Sequence, residues 1–566
     1  MSSATSSDAP GTNEKVLFWA SFFTLIAAGI GFSVRGFILK DWGSQFGFTQ
    51  SELGGITGGG LVGFGVAIIF LSFFADRFGY GKLMLIAFLL HASSAIVTFA
   101  AAPVYGMYGK EGAYWCLYIG MWLFALGNGT CEAVINPLTA TLFSKNKTHW
   151  LNILHAGWPL GLILGSLIVL GFKQVAPDAR WEIKLGVFLV PVLMYGLMMF
   201  GRKFPTSEAK ASGVSTGTMI VSLLSPILLF LFVLHALVGY VELGTDSWIG
   251  NITDRVLSDE TKALYAFIWT NALMFTLRFF AGPIVEKINP VGLLFVSAVL
   301  GTAGLYMLGQ DFTNSTWPWI GAITVYGLGK TFYWPTLLGV ISERFPKGGA
   351  LALGISGGIG MISAGLLGGP GIGYKQDYFA VEKIKETSPA AYDRYKTEKP
   401  AGFPLLTGLM PEKLPAVAGL DNSKLKVFDD YGTTFDEKGV RKKDEKTGEE
   451  KKMTLEVDLA TVARVKGEGK TVEETLEKNL NDLKKWWDEV GVKHYAEDKD
   501  KLQEARLYGA KQALLYTAVV PAAIAIGFLL LILYFAATGG YKQVHLEAAT
   551  PEPPSKQGAP HEDWGK

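Results

Sequence analysis

Charge is scarce in this chain. Asp, Glu, Lys and Arg make up 18% of 566 residues and crowd into the first fifteen positions, the short connections and one late block. A soluble protein of this length spreads charge over several domains of roughly 100–200 residues, so that organisation is excluded. The 51 basic and 50 acidic residues leave a net charge of +1, which offers nucleic acid no footprint. Cysteine is nearly absent: Cys116 and Cys131 share one apolar segment about four turns apart, too far to bridge. No metal-spaced His/Cys set, phosphate-binding glycine loop or nucleophile elbow occurs, so neither a metal or cofactor centre, an ATP-driven pump nor an enzyme is expected. The first fourteen residues are polar and the first apolar run is too long for a signal-peptide core, so no signal peptide is expected.

What the chain does have is apolar runs, each about 20 residues, the length that crosses a hydrocarbon core. Twelve spans are predicted, near 16–37, 54–75, 83–102, 114–143, 149–172, 183–201, 219–249, 262–284, 291–309, 317–342, 349–373 and 508–537. The fold class is an all-α membrane protein in two six-helix bundles. The expected divisions are a tail at 1–15, a first bundle at 16–201, a linker at 202–218, spans seven to eleven at 219–373, an insertion at 374–506, span twelve within 507–540 and a tail at 541–566. Basic residues in alternate short loops, among them Arg77, Lys82, Lys145, Lys147, Arg202 and Lys203, put both termini in the cytoplasm of a cell-membrane protein and the insertion outside.

The halves repeat one another. Ser72, Asp76 and Arg77 after span two recur in spacing as Gly282, Glu286 and Lys287 after span eight, and Gly129 to Pro137 aligns with Gly327 to Pro335, setting Lys330 opposite Glu132. Two six-helix halves in parallel repeat imply transport by alternating access. Asp76, Arg77, Gly79 and Lys82 in DRFGYGK match the cytoplasmic signature of the major facilitator superfamily, which the chain resembles, with Ser72 where that signature has glycine. Glu132-x-x-x-Asn136-Pro137, Asn152 with His155, and Glu242 with Ser247-Trp248 resemble that family's fucose/galactose/glucose:proton symporters. The resemblance implies a monosaccharide substrate, a coupled proton, and a cytoplasmic latch of Asp76, Arg77, Lys82, Glu286 and Lys287. Arg278 is expected to join that latch, one or two turns above Glu286.

Glu132 is the residue from which function is argued. An ionisable group at mid-membrane costs roughly 2.5–3.5 kcal/mol on insertion scales and marks a site unless it serves a permanent ion pair. Glu242, with His155 as a relay and Asp246 one turn beyond Glu242, completes the expected proton-coupling set. Asn136, Asn152, Trp158, Trp248, Tyr333 and Trp334 are the expected solute contacts. Lys330 at mid-span needs an acid or an anion and is expected to pair with Glu132 or Glu242 across the halves. Arg35 either snorkels from the outer end of span one or faces the cavity. With Arg35 and Lys330 at the site, the substrate becomes an organic anion; a non-transporting sensor on the same scaffold is the other alternative. The partners expected are a small molecule, a proton and the bilayer, with a monomeric carrier.

The block 374–506 is far longer than an ordinary connection, so it is an insertion with its own structure or a disordered segment. Thr471 with Glu474 reads as a capping box ahead of an apolar stripe, Glu437 to Lys452 as a mobile charge run, and Tyr541 to Lys566 as a disordered tail. The glycine-rich stretches Gly54 to Gly65 and Gly354 to Gly373 read as helix-packing surfaces.

Overall fold

A computed structural model describes residues 11–46, 48, 53, 56, 60–176, 179–403, 405–443, 448–467 and 474–546. The capping residue Thr471 and most of the C-terminal tail lie outside the described residues. Among the described residues nine helices are long and apolar enough to cross a membrane: Thr12–Leu39, Gly60–Phe78, Tyr80–Phe99, Lys147–Val175, Trp181–Met199, Pro226–Leu257, Ala281–Leu308, Pro346–Thr387 and Glu477–Ala537. They are spans one, two, three, five, six, seven, nine, eleven and twelve. Spans four (within Ala101–Leu142), eight (Glu260–Arg278) and ten (Thr316–Lys330, then Tyr333–Arg344) are more polar or broken. These three carry Glu132, Arg278 and Lys330, while Glu242 and Asp246 lie in the apolar span seven and Arg35 in span one.

The repeat extends to the backbone. Gly79, which ends the turn between spans two and three, has φ 82 and ψ 148; Asn289, its counterpart after span eight, has φ 55 and ψ 167. Gly and Asn tolerate that left-handed region, so the same turn is built twice. The halves meet closely where spans two and eleven cross. A Cβ on Gly65 would stand 2.7 Å from the Gly358 carbonyl oxygen, and one on Gly354 would overlap the Ser72 hydroxyl. Ser72 is accommodated because its facing residue is a glycine.

Both termini lie on one face. Asn13 Nδ2 donates to the Lys203 carbonyl (2.9 Å) and Tyr541 OH donates to Glu343 (2.7 Å). The tail that was expected to be disordered therefore starts docked on span ten, where Val544 N also donates to the Glu343 carbonyl (2.8 Å). The insertion stands on the opposite face. Span eleven does not stop near residue 373 but continues as Gly369–Thr387, and span twelve is preceded by Val492–Thr517. These extensions pack together, with Gly509 against the Gln376 carbonyl, and form a two-helix stalk. Above it, Ile384, Tyr395, Phe428, Leu455, Trp487 and Leu502 form a separate apolar core. Arg394 with Asp498 and Arg441 with Glu456 (2.8 Å) tie its segments, so the described part of the expected charge run is held by ion pairs.

Candidate functional site

A small space lies between the two halves at mid-span, lined by Glu132, His155, Trp158, Glu242, Arg278 and Trp334, with Phe64, Leu243 and Met361. It measures about 30 Å³, room for about two waters at ~10–15 Å³ each and too little for an organic solute.

Prolines build its polar wall. Pro159 has no N–H to offer the carbonyl four residues back, at His155, and Pro335 leaves the carbonyl of Thr331 in the same position. One side chain serves both. Arg278 donates from Nη1 to the His155 carbonyl (2.6 Å) and from Nε to the Thr331 carbonyl (2.8 Å). Its Nη2 faces Glu242 Oε1 at 3.5 Å, and the guanidinium is 2% exposed. Arg278 thus ties the first half to the second at the level where both helices are interrupted. Glu242 Oε2 is buried with no hydrogen-bond partner, so the acid is only half satisfied.

On the other wall the polar groups form a chain. Glu132 Oε2 accepts from Asn136 Nδ2 (2.6 Å), and Asn136 Oδ1 accepts from His155 Nε2 (2.8 Å). The i, i+4 spacing of Glu132 and Asn136 is what aligns them on one helix face. His155 sits between the chain and the guanidinium: its ring serves Asn136 and its carbonyl serves Arg278. A buried carboxylate is expensive unless hydrogen-bonded or protonated, and Glu132 has the amide while Glu242 has the guanidinium.

The face that carries the termini is closed by a second set of contacts between the halves. Thr148 donates from N (3.1 Å) and Oγ1 (2.6 Å) to Glu343 Oε1, Lys147 Nζ donates to the Ser342 carbonyl (3.2 Å) and pairs with Glu208 of the linker (2.5 Å), and Asn152 donates to Thr336 (3.0 Å). Gly282 N donates to His149 Nδ1 (3.0 Å).

The comparisons with known proteins decide the family. The profile of the Major Facilitator Superfamily matches residues 21–371, more than half of the chain. The chain belongs to the major facilitator superfamily. It is a secondary transporter, not an enzyme, and a multi-pass membrane protein that carries small molecules. It is 24% identical to the cis,cis-muconate transport protein of Acinetobacter baylyi over 64% of this chain and 90% of that protein. It is 26% identical to a sphingosine-1-phosphate transporter of Xenopus tropicalis over 43% of this chain and 40% of that protein. The fold is similar to that of the E. coli fucose:proton symporter, with a TM-score of 0.53 at 14% identity, covering 65% of this chain and 93% of that one.

Within this superfamily fold several expected placements change. Lys330 pairs with neither Glu132 nor Glu242: its Nζ meets Asp246 Oδ1 at 2.5 Å inside the second half, because the break after Lys330 turns it toward span seven. Asp246 is thereby a counter-ion away from the cavity wall. Arg35 neither snorkels nor faces the cavity. It is 1% exposed, lies 3.8 Å over the Phe124 ring and donates to Ser94 (3.0 Å) within the first half. Trp248 Nε1 donates to the Gly369 carbonyl (2.7 Å) and Tyr333 OH to the Ser297 carbonyl (3.1 Å), so both are packing residues of the second half. Asn136 and Asn152 stand behind the wall in hydrogen bonds rather than on it. Arg278 lies at the centre, not in the latch. Among the described residues Asp76, Arg77, Lys82, Glu286 and Lys287 form no ion pair, and the Asp76 contact is its carbonyl, which accepts from Lys210 (2.9 Å). The closing contacts of the previous paragraphs hold that face instead.

Two residues escaped the sequence reading. Glu343 sits at the end of span ten, where a carboxylate reads as an ordinary loop charge. His235 packs edge-on against Trp334 at 4.5 Å and meets Ser356 Oγ at 2.5 Å from the far side of the cavity wall. The proline-freed carbonyls were the available signal for Arg278, since a buried donor had to reach them.

Proposed function

We propose that this transporter moves a small organic carboxylate together with a proton, by alternating access between its two halves. The observation that carries the reading is Arg278, a buried cation on the cavity wall whose counter-ion Glu242 stands at 3.5 Å with its second carboxylate oxygen unpartnered. Protonation of Glu242 removes the charge that occupies Arg278, and a substrate carboxylate then takes its place, so proton and anion enter together. Glu132 and His155 offer the second protonatable position on the opposite wall. The muconate transporter, aligned over 90% of its length, carries a substrate of this chemistry. The basic short loops support a reading with the termini in the cytoplasm and the insertion outside a cell membrane. In that orientation the contacts from Thr148 to Glu343 form the inner gate, which must part before the solute leaves.

A second reading, a monosaccharide with a coupled proton, is favoured by Trp158 and Trp334, flat apolar faces on opposite walls of the same space, and by the fold shared with the fucose:proton symporter. Counterflow in proteoliposomes separates the two. Vesicles preloaded with a C4–C6 dicarboxylate are expected to accumulate label from a tracer dicarboxylate, faster with an acid exterior, and to ignore glucose, xylose and fucose. Competition by the neutral sugars, with none by carboxylates, overturns the carboxylate reading in favour of the sugar one.

A further inference from the structure

Outside the transport pathway, the lipid-facing surface between spans three and six is hollowed rather than flush. Met84, Leu85, Phe88, Leu193, Leu197 and Phe200 line a groove of about 490 Å³ that is almost wholly apolar. Within it Gly196 faces Phe88, and a Cβ there would stand 2.5 Å from the ring, so the two helices approach closely at that level. The groove opens toward the face that carries the termini, where Arg202 forms part of its wall.

At that end the groove meets a second, polar pocket of about 320 Å³. The two share Gly81 and Phe204, and a Cβ on Gly81 would lie 3.0 Å from the Phe204 ring, so the partition between them is one residue thick. The polar pocket is built from the loop between spans two and three and from the linker that joins the halves. Lys82, Lys210, Thr206 and Ser207 line it, with Asp76 as its acid. Counting Arg202, three cations face one carboxylate, and among the described residues neither Lys82 nor Arg202 has an ion-pair partner.

An apolar slot at membrane depth that continues into a cationic, hydroxyl-bearing pocket at the membrane edge has the two-part chemistry of an amphiphile with an anionic head. We infer that this is a binding site for an anionic phospholipid, one acyl chain lying between spans three and six and the phosphate held by Arg202, Lys82 and Lys210. Basic pockets at the ends of membrane helices recognise anionic headgroups in this way. Because the headgroup pocket consists of the signature loop and the inter-half linker, its occupant contacts the parts that must move when the halves rock.

The test is native mass spectrometry of the full-length transporter in detergent, titrated with phosphatidylglycerol or phosphatidylcholine of equal chain length. The wild type is expected to retain phosphatidylglycerol in preference, Arg202→Gln to bind it about fivefold more weakly with phosphatidylcholine unchanged, and Arg202→Lys to keep most of the preference. Leu197→Trp fills the groove and is expected to weaken both lipids; Leu85→Trp repeats that test from the other wall if the first variant misfolds. Equal retention of both lipids by the wild type, or no effect of Arg202→Gln, reduces the site to ordinary boundary lipid and overturns the inference. Displacement of phosphatidylglycerol by soluble glycerol phosphate also overturns it, since the ligand would then be a free phosphate ester.

Discussion

Replacing Arg278 with Gln tests how the centre of the molecule is held. The guanidinium satisfies two carbonyls that Pro159 and Pro335 have freed, and it is the counter-ion of Glu242. Breaking a buried pair by removing one partner costs about 3–5 kcal/mol, because the remaining charge is uncompensated. Each orphaned buried carbonyl adds about 1–3 kcal/mol, and the shorter Gln amide reaches one at best. A loss of about 4 kcal/mol or more is therefore expected for Arg278→Gln, read as a lowered unfolding midpoint of the purified protein. Glu242→Gln alone leaves the buried guanidinium without its counter-ion, so it too is expected to cost about 3–5 kcal/mol. The double variant decides the matter: with Glu242 neutral, Arg278→Gln loses only the carbonyl contribution, so the cycle should show a coupling of about 3–5 kcal/mol, the pair term. Strictly additive effects would refute the claim that Arg278 and Glu242 form one unit. Counterflow should vanish in Arg278→Gln and stay absent in the double variant, since neither retains the cation.

Other outcomes follow from the same contacts. Lys330→Met is expected to destabilise the protein by leaving Asp246 alone, and Lys330→Met with Asp246→Asn to recover most of the loss in thermal unfolding; failure to recover would remove that pair from the structural role given to it. Glu132→Gln retains an oxygen for Asn136 while losing the second titratable proton, so counterflow should persist and an imposed pH gradient should still drive uptake through Glu242, though less strongly. Gly65→Leu, placed against the Gly358 carbonyl, should abolish transport by wedging spans two and eleven apart, with normal insertion by membrane fractionation. In the insertion, Arg441 holds the Glu456 carboxyl below its usual range through a two-point hydrogen bond. A depressed folded value stabilises at pH above the ordinary carboxylate range and loses that contribution as pH falls through the folded value. The hydrogen-exchange protection factors of residues 448–456, the intrinsic rate at each pH divided by the observed rate, should therefore fall on acidification, and Arg441→Gln should show the reduced protection already at neutral pH.

The twelve spans and the two-half repeat were legible in the sequence because both are local: hydrocarbon thickness sets the run length, and spacing such as Ser72-Asp76-Arg77 against Gly282-Glu286-Lys287 is read residue by residue. The structure adds to that repeat a positive-φ residue at Gly79 and again at Asn289. Glu132 and Glu242 stood out for the same reason, since an acid in an apolar run declares itself without knowing its neighbours. Partner choice was not legible. Lys330 aligned with Glu132 across the repeat, yet the chain breaks after Lys330 and directs it to Asp246, a preference only packing decides.

Arg278 shows the division best. Its sequence position, eight residues before Glu286, suggested a latch residue at the membrane edge. In three dimensions two prolines on other spans, one in each half, leave carbonyls that must find a donor, and span eight is the element close enough to supply it. Sequence by itself determined how many times the chain crosses and which spans bear charge, because those depend on the cost of transfer into lipid. The tertiary structure alone decided which charge meets which, because that depends on where helices break and which unsatisfied groups then face one another.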